Sequence, residues 1–212
     1  MTFGTIRVVR ISLATLSSWL AIALTLSWTA TSHAAPLRDG DIIFHTSRSA
    51  QSVAIQRASH SPYSHVGVIF MRDGKPCVFE AISTVQYTPL AKWAQRGEGG
   101  RYVVKRLKRP LTDVQTAKLR AAARAFEGKT YDLYFEWSDQ RIYCSELVWK
   151  LYQRALDMKL GDLQKLREFD LTDAAVRAKM RERYGTQVPL DEPVISPGSQ
   201  FDSPLLETVE RR

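Results

Sequence analysis

The sequence predicts an α+β domain in which an antiparallel sheet packs against helices. Residues 65–82 have the composition of two strands joined at Asp73 and Gly74, a pair favoured in tight hairpin turns. Residues 112–127 begin with a capping-box pattern (TDVQ) and continue as an Ala-rich helix. After Cys144, apolar residues recur at helical spacing, which predicts an amphipathic helix that begins at or near this cysteine.

Periodicity and turn signals assign the other segments. The predicted strands are residues 41–45 and 101–107, and the predicted helices are residues 49–58, a Pro-initiated segment at 89–96, and most of the charged stretch 155–184. From about residue 189 four prolines argue against helix, so we expect the C-terminal tail, 189–212, to be extended on the surface or partly disordered.

The N-terminus has the pattern of a secretory signal peptide. Arg7 and Arg10 precede an apolar run over residues 11–28, and small residues follow as far as Ala34. Cleavage after Ala34 would leave residues 35–212 as a single exported domain, periplasmic or otherwise extracytoplasmic, without stable membrane insertion. The alternative is an uncleaved anchor, since the apolar run is barely long enough to span a bilayer.

The charge pattern does not favour nucleic-acid binding. The formal net charge is +8, and about +6 remains after the two signal-peptide arginines are removed. The basic residues are scattered, and the one cluster, at 105–109, has no aromatic residues interleaved with it. There is also no Gly-rich phosphate loop, so we predict no cofactor.

Cys144 is the first candidate for chemistry. A helix N-terminus carries partial positive charge and unpaired N–H groups, which favour a thiolate and are able to receive an oxyanion. The alternative is a small apolar core residue, because free cysteines are often buried. Position alone does not choose between the two.

The register of the hairpin supplies partners for this cysteine. If the turn is at the Asp-Gly pair, Phe70 faces Cys77 and Gly67 faces Glu80. His65 and Glu80 then lie diagonally on one face of the sheet, within reach of each other. A carboxylate beside an imidazole fixes its tautomer and stabilises the imidazolium, as in a Cys-His-acid site. The alternative is an ordinary cross-strand pair.

The same register bears on a disulfide between the two cysteines. It places Cys77 on the face away from His65, so if Cys144 approaches His65 the two cysteines cannot easily bond. We therefore expect Cys77 to be a core thiol and Cys144 to be free.

A zinc site built from His45, His60, His65 and Cys144 is disfavoured because none of these residues has the spacing of a metal-binding motif, so no metal is predicted.

Taken together, these stretches resemble a known family, the YiiX/YaeF-type permuted papain-like hydrolases, which are relatives of the NlpC-type cell-wall peptidases. Each piece alone is weak, but their combination and order are specific, and similarity extends to residues 168–171 (EFDL) and the Pro-rich tail. The pieces are residues 40–44 (GDIIF), 64–67 (SHVG), 79–81 (FEA), 131–132 (YD) and 143–147 (YCSEL).

The resemblance implies a circularly permuted papain-like fold in which the His strand precedes the Cys helix. It assigns the nucleophile to Cys144, the base to His65 and the orienting residue to Glu80. The expected function is amide hydrolysis through a thioester, in peptidoglycan-derived or other small peptides. Tyr63, Tyr131 and Tyr143 are candidates for oxyanion or substrate binding.

Two alternatives remain open at this point. One is a lipid or thioester hydrolase, or an acyltransferase, that uses the same three residues. A wide apolar groove would mark that activity, and the aromatic residues available to line one are Tyr131, Tyr134, Phe135 and Trp137. The other is a non-catalytic binding module, which predicts an inert thiol at Cys144.

Overall fold

The structure is a computed structural model that describes residues 1, 2, 4 and 35–212. Nearly all of the predicted signal peptide, residues 1–34, therefore lies outside the described residues. Residues 35–212 belong to one compact unit. Within the described part of the chain, no helix is long and apolar enough to cross a membrane.

A six-stranded antiparallel sheet forms the centre of this unit, with the strand order β10-β5-β1-β2-β3-β4. Four short strands form two further pairs, β6 with β7 and β8 with β9. The strands are β1 Asp41–His45, β2 His65–Arg72, β3 Lys75–Ala81, β4 Val85–Pro89, β5 Val103–Leu107, β6 Thr130–Tyr131, β7 Arg141–Ile142, β8 Gln164–Lys165, β9 Pro193–Val194 and β10 Leu206–Arg211.

Six α-helices accompany the sheet in the described residues. The capping box predicted for the Ala-rich helix is confirmed: the Gln115 amide N–H donates to Thr112 Oγ1 (3.2 Å), and the Thr112 N–H donates to Gln115 Oε1 (3.0 Å). The helices are α1 Ser52–Ser59, α2 Leu90–Gln95, α3 Asp113–Arg124, α4 Cys144–Leu156, α5 Ala174–Tyr184 and α6 Pro197–Phe201.

The predicted hairpin register between β2 and β3 is confirmed. Arg72 pairs with Lys75 and Phe70 pairs with Cys77 across an Asp-Gly turn in which both residues have positive φ. Further along, a Cβ on Gly67 would lie 2.4 Å from Val78 Cγ1 and 2.9 Å from the Phe79 carbonyl oxygen. Only glycine fits this close approach of the two strands.

The sheet is covered on both faces. The α4 helix packs on the face that carries Val66, Val68 and Phe70, and it forms the larger core there. The opposite face carries Ile69 and Val78 and is covered by Trp93 of α2. Because β2 is buried on both faces, it lacks the apolar–polar alternation of a strand with one face in solvent.

The prediction for Cys77 was partly wrong. Both cysteines are free, but Cys77 is half-buried rather than part of the core. Its side of the sheet is the side that α4 covers, so opposite faces do not keep the cysteines apart. Distance along the strand keeps them apart. Phe70 lies opposite Cys77, and it is five positions along β2 from His65, or roughly 16 Å at about 3.3 Å per residue. A disulfide needs Cα atoms within about 7 Å.

The prediction of an extended or disordered C-terminal tail was wrong. Pro197 occupies the first turn of α6, where proline is compatible with a helix because the N–H that it lacks has no partner there. Beyond α6, β10 pairs with β5 and extends the central sheet. A proline at the boundary of a helix or strand does not exclude that element, which is why helix α6 and strand β10 form despite the prolines.

We predict that Gly67→Ala destabilises the protein by about 1–3 kcal/mol, because its Cβ would overlap Val78 and the β3 backbone. Displacing β3 should also move Glu80 and lower the reactivity of the Cys144 thiol. Urea unfolding and iodoacetamide kinetics measure the two effects.

Gly74→Ala is the control. Its Cβ meets nothing within 4 Å, but φ is +72°, which costs about 1 kcal/mol for an L-residue. This variant should lose stability and keep normal thiol reactivity. Equal thiol reactivity in both variants would contradict the role assigned to the Gly67 contact.

Candidate active site

Cys144 is the first residue of α4, as the sequence predicted. Tyr143 precedes it in an extended conformation, and its N–H donates to Glu146 Oε2 (3.3 Å). Glu146 and Lys150, two charged residues of this helix, are both buried. Lys150 Nζ lies 2.7 Å from Glu146 Oε1, so the two side chains form an ion pair. The loop at 137–139 covers this face of the helix, and Lys150 Nζ donates to the Ser138 carbonyl oxygen in it (2.6 Å).

The thiol of Cys144 is 3 % exposed and contacts groups that stabilise a negative charge. Burial raises the pKa of the Cys144 thiol, but hydrogen bonding to His65, the charge of His65 and the N–H groups of Val66 and Ser145 outweigh it. The pKa therefore lies below the ordinary value for a cysteine. This is the environment of a reactive thiol rather than of an inert core residue.

His65 begins β2, and its Nε2 lies 2.7 Å from Glu80 Oε2. With Nε2 held by the carboxylate, Nδ1 is the nitrogen available to the thiol. Burial lowers the pKa of His65, but hydrogen bonds to Cys144 and Glu80 raise it to about 9. Stability from this raised pKa is fully present below pH 6.5 and is lost as the pH rises through about 9.

Glu80 is fully buried in β3. Burial raises its pKa, yet the hydrogen bond and charge of His65, with a smaller effect of Arg96, lower it to about 2. The carboxylate is therefore ionised at all physiological pH values. Its contribution to stability is present above about pH 4.5 and is lost as the pH falls through about 2.

Arg96 is a site residue that sequence reasoning missed. Its Nη2 donates to Glu80 Oε1, the carboxylate oxygen that His65 does not use. The guanidinium therefore compensates the buried charge and fixes the plane of the carboxylate. Arg96 lies just after α2, and no sequence pattern relates this position to β3.

His45 ends β1 and lies directly opposite His65 in the β1–β2 pair. Its ring stacks on Trp93 at 3.9 Å and is 1 % exposed. Burial and the charge of His65 lower the pKa of His45 to about 2, so this ring stays neutral. His60, in contrast, is exposed and lies 3.5 Å from Asp170, away from the thiol.

The three candidate tyrosines have different positions. Tyr131 lies in the site: Gln51 Nε2 donates to its hydroxyl (2.8 Å), so the phenolic proton remains free to be donated elsewhere. Burial and the nearby Cys144 raise the pKa of Tyr131, which keeps the phenol protonated. Tyr143 also borders the site, but its hydroxyl accepts the Ile195 N–H (3.1 Å). The Tyr63 ring stacks on the Phe201 ring, with their centroids 4.2 Å apart. Tyr63 lines neither the cavity that borders Cys144 nor the one that borders His65.

The aromatic residues proposed to line an apolar groove are likewise divided. Phe135 and Tyr131 line a cavity at Cys144, and Tyr134 lines a second, more polar groove at His65. Trp137 is elsewhere, packed edge-on against Trp149 at 5.3 Å.

Comparison with known proteins shows which family the chain belongs to. The family model described as permuted papain-like amidase enzyme, YaeF/YiiX, C92 family matches residues 36–210. The chain belongs to this family. It is therefore a cysteine hydrolase of the amidase type with the permuted papain-like α+β fold, in which the His strand precedes the Cys helix.

Two relatives are similar over most of their length. The protein YiiX of Escherichia coli strain K12 is 54% identical over 172 residues, which is 81% of this chain and 85% of YiiX. A crystal structure of the metalloprotein yiiX from Escherichia coli O157:H7 superposes with a TM-score of 0.81 at 54% identity, covering 82% of this chain and 97% of that one.

That relative is described as a metalloprotein, so we asked whether the residues of this chain could hold a metal ion. Among residues 35–212, no group of three or more His, Cys, Asp or Glu side chains is placed to hold a metal ion. Both oxygens of Glu80 are engaged, by His65 and Arg96, and Cys144 is engaged by His65 and two N–H groups. The side chains of this site therefore do not fit a metal ion.

We predict that iodoacetamide alkylates Cys144 about tenfold faster at pH 7 in the wild-type protein than in His65→Ala. Because His65 lowers the pKa of the Cys144 thiol, more of it is thiolate at pH 7, although a thiolate of lower pKa is also a weaker nucleophile. Alkylation followed by mass spectrometry from pH 5 to 10 measures this. Superimposable pH profiles would contradict the ion pair.

A second prediction concerns Glu80→Gln. Arg96 is a donor only, so the amide oxygen must face Arg96, and the NH2 group must face His65 Nε2. The proton of His65 then moves to Nδ1, which can no longer accept the thiol proton. We expect kcat to fall by about two to four orders of magnitude, as for other triads with a misdirected tautomer.

Glu127→Gln is the matched control, since Glu127 is exposed at the end of the Ala-rich segment. It should retain full activity. If Glu80→Gln were equally active, the carboxylate would have no role in orienting the imidazole.

Proposed function

We propose that this chain is an exported cysteine amidase that hydrolyses its substrate through a thioester on Cys144. The observation that supports this most directly is the continuous contact from the thiol through His65 to Glu80 and Arg96. This series of contacts joins a nucleophile (Cys144), a base (His65) and a carboxylate that orients the base (Glu80). Small peptides, including fragments of the cell wall, are the proposed substrates.

The first half of the reaction forms the thioester. The Cys144 thiolate attacks the amide carbonyl carbon, and the C–N bond breaks as the imidazolium of His65 gives its proton to the leaving nitrogen. Backbone N–H groups at the start of α4 and the free hydroxyl proton of Tyr131 are the proposed donors to the oxyanion.

The second half releases the acid. His65, now neutral, takes a proton from water, whose oxygen attacks the thioester carbonyl, and the Cys144 sulfur leaves as a thiolate. The resting ion pair is restored. Because proton donation to the leaving group requires the imidazolium, kcat/KM should decline as the pH rises above about 9.

We predict that Cys144→Ala lowers amide hydrolysis by about 10⁴-fold or more, since removal of the nucleophile of a triad leaves only binding and oxyanion contacts. In the wild-type protein, acid quenching during turnover should trap an acyl group on Cys144, visible as a mass increase that hydroxylamine removes. Cys77→Ala is the matched control and should keep both activity and the trapped acyl group.

The result that would contradict the proposal is turnover that survives Cys144→Ala. The absence of hydrolysis for every amide tested, together with an ordinary alkylation rate of Cys144, would count equally against it.

Export is the second part of the proposal, and the pattern of residues 1–34 supports it. We expect the full-length chain, expressed in a Gram-negative host, to be recovered from the periplasm with Ala35 as its N-terminal residue. N-terminal sequencing of the fractionated protein measures this. A protein retained in the membrane fraction with Met1 or Thr2 at its N-terminus would favour an uncleaved anchor.

A second candidate activity is acyl-ester or thioester hydrolysis, or acyl transfer, with the same three residues. An apolar cavity at Cys144 favours it. Acyl transfer differs from hydrolysis in the molecule that accepts the acyl group from Cys144. An added primary alcohol or amine would compete with water for this acyl group. The ratio of the transfer product to the hydrolysis product measures which acceptor is preferred.

A further inference from the structure

Tyr131 lies beside the candidate nucleophile because a short parallel strand pair places it there. In the β6–β7 pair Tyr131 is opposite Ile142, two residues before Cys144, and the Asp132 N–H donates to the Ile142 carbonyl oxygen (3.3 Å). Tyr131 and Cys144 also line the same cavity. Backbone contacts therefore hold the phenol near the thiol, and the direction of its hydroxyl proton depends on what its oxygen contacts.

Gln51 contacts this hydroxyl from the position just before helix α1. Its Nε2 donates to the Tyr131 hydroxyl oxygen (2.8 Å). Gln51 is the N-cap residue of α1, but its side chain accepts no hydrogen bond from the helix. Side chains at an N-cap ordinarily accept hydrogen bonds from the first N–H groups of the helix. The amide of Gln51 is thus used for Tyr131 rather than for the helix.

Arg183, in the last turn of α5, contacts the other end of the same amide. Its Nη2 donates to Gln51 Oε1, and its Cζ lies 4.7 Å from the centroid of the Phe135 ring. The neighbouring carboxylate, Glu182, is paired with Lys179 instead (2.6 Å). The guanidinium is therefore held between the aromatic ring and the amide, in a position where it donates to Gln51.

The chemistry of these groups allows one arrangement of donors and acceptors. A guanidinium donates hydrogen bonds and accepts none, so Gln51 must present its amide oxygen to Arg183. The NH2 group of Gln51 then faces Tyr131, whose oxygen must accept. The single phenolic proton cannot be directed at Gln51, and within the described residues it has no other acceptor. It is therefore available to an atom in the cavity that Tyr131 shares with the thiol.

We propose that Gln51 and Arg183 are positioning residues that direct the Tyr131 hydroxyl proton toward the oxyanion formed on the substrate carbonyl. This inference rests on the amidase function proposed above and on the donor role of Tyr131 in it. Neither residue touches the reacting atoms, since Arg183 acts through Gln51 and Gln51 acts through Tyr131. A donor that is already oriented needs no reorganisation when negative charge develops, which is why such donors accelerate acyl transfer.

Two reagents separate the oxyanion contact from the reactivity of the thiol. With p-nitrophenyl acetate, the Cys144 sulfur bonds to the carbonyl carbon and the carbonyl oxygen becomes an oxyanion. The C–O bond then breaks, and p-nitrophenolate leaves with the electron pair. Iodoacetamide alkylates the same thiolate by displacing iodide, and no oxyanion forms. A loss of acylation without a loss of alkylation therefore reports on the oxyanion donor.

Gln51→Glu is the most informative variant, because it keeps the shape of the side chain and reverses one hydrogen bond. A carboxylate at position 51 accepts from Arg183 and has no proton to donate, so the Tyr131 hydroxyl must donate to it. We expect the burst of p-nitrophenolate to slow about 10²-fold, as in Tyr131→Phe. The plateau of the alkylation rate between pH 5 and 9 should change less than about twofold. In the Tyr131→Phe background, Gln51→Glu should cause no further loss.

Two substitutions of Arg183 test the same arrangement independently. Arg183→Lys keeps a side chain that only donates, so acylation should stay within about threefold of wild type. Arg183→Met lets the Gln51 amide turn over and present either end to Tyr131, so acylation should fall about two- to tenfold while alkylation is normal. The matched controls are Gln187→Glu and Arg181→Met, both exposed and outside the cavities at the site. Neither control should change either rate.

The outcomes separate this inference from the function beneath it. Equal losses of acylation and alkylation in Gln51→Glu, or full acylation in this variant, would overturn the positioning role and leave the amidase proposal standing. Full acylation in Tyr131→Phe would remove the donor that the two residues are proposed to position. A wild-type thiol that is alkylated fast but not acylated would overturn the inference as well. If wild-type Cys144 is alkylated like an ordinary thiol, the amidase itself fails.

Discussion

The buried carboxylate of Glu80 is the group on which the rest of the site depends. A fully buried charge is costly unless it is paired and hydrogen-bonded. Here each oxygen has its own cationic partner, His65 on one side and Arg96 on the other. The pairing holds the imidazole in the tautomer that accepts a proton from the thiol. The rigid sheet beneath Glu80 is therefore part of the chemistry as well as of the scaffold.

Much of this arrangement could be predicted from the sequence, because the central pair is local. An Asp-Gly turn fixes the hairpin register, and register alone places Glu80 beside His65. The start of helix α4 could also be predicted from the sequence, because apolar residues follow Cys144 at helical spacing. Both the hairpin register and the start of the helix depend on residues close together in sequence, and contacts with distant segments do not change either of them.

The rest could not be predicted because it depends on contacts between distant segments. Arg96 reaches Glu80 from a loop after α2, and the wall of the apolar cavity combines residues near 54, 135, 166 and 195. The two faces of the sheet do not separate the two cysteines either, although both thiols are free in the structure. Alternation states which side of a sheet a residue occupies, but not which side a later helix will cover.

The contacts of residues 195–211 bear on when, during synthesis of the chain, the Cys144 thiol acquires its surroundings. Gln200 Nε2 donates to the Ser145 carbonyl oxygen (2.9 Å), and Ser145 Oγ donates to the Ile195 carbonyl oxygen (2.8 Å), so residues 195–200 support the turn that carries the thiol. β10 also covers the open edge of β5. A ribosome makes the hairpin first, the cysteine later and these supporting residues after both. The thiol thus acquires its full surroundings only after residues 195–211 have been made, and a chain that stops before them has the three reactive side chains without the contacts that bring them together.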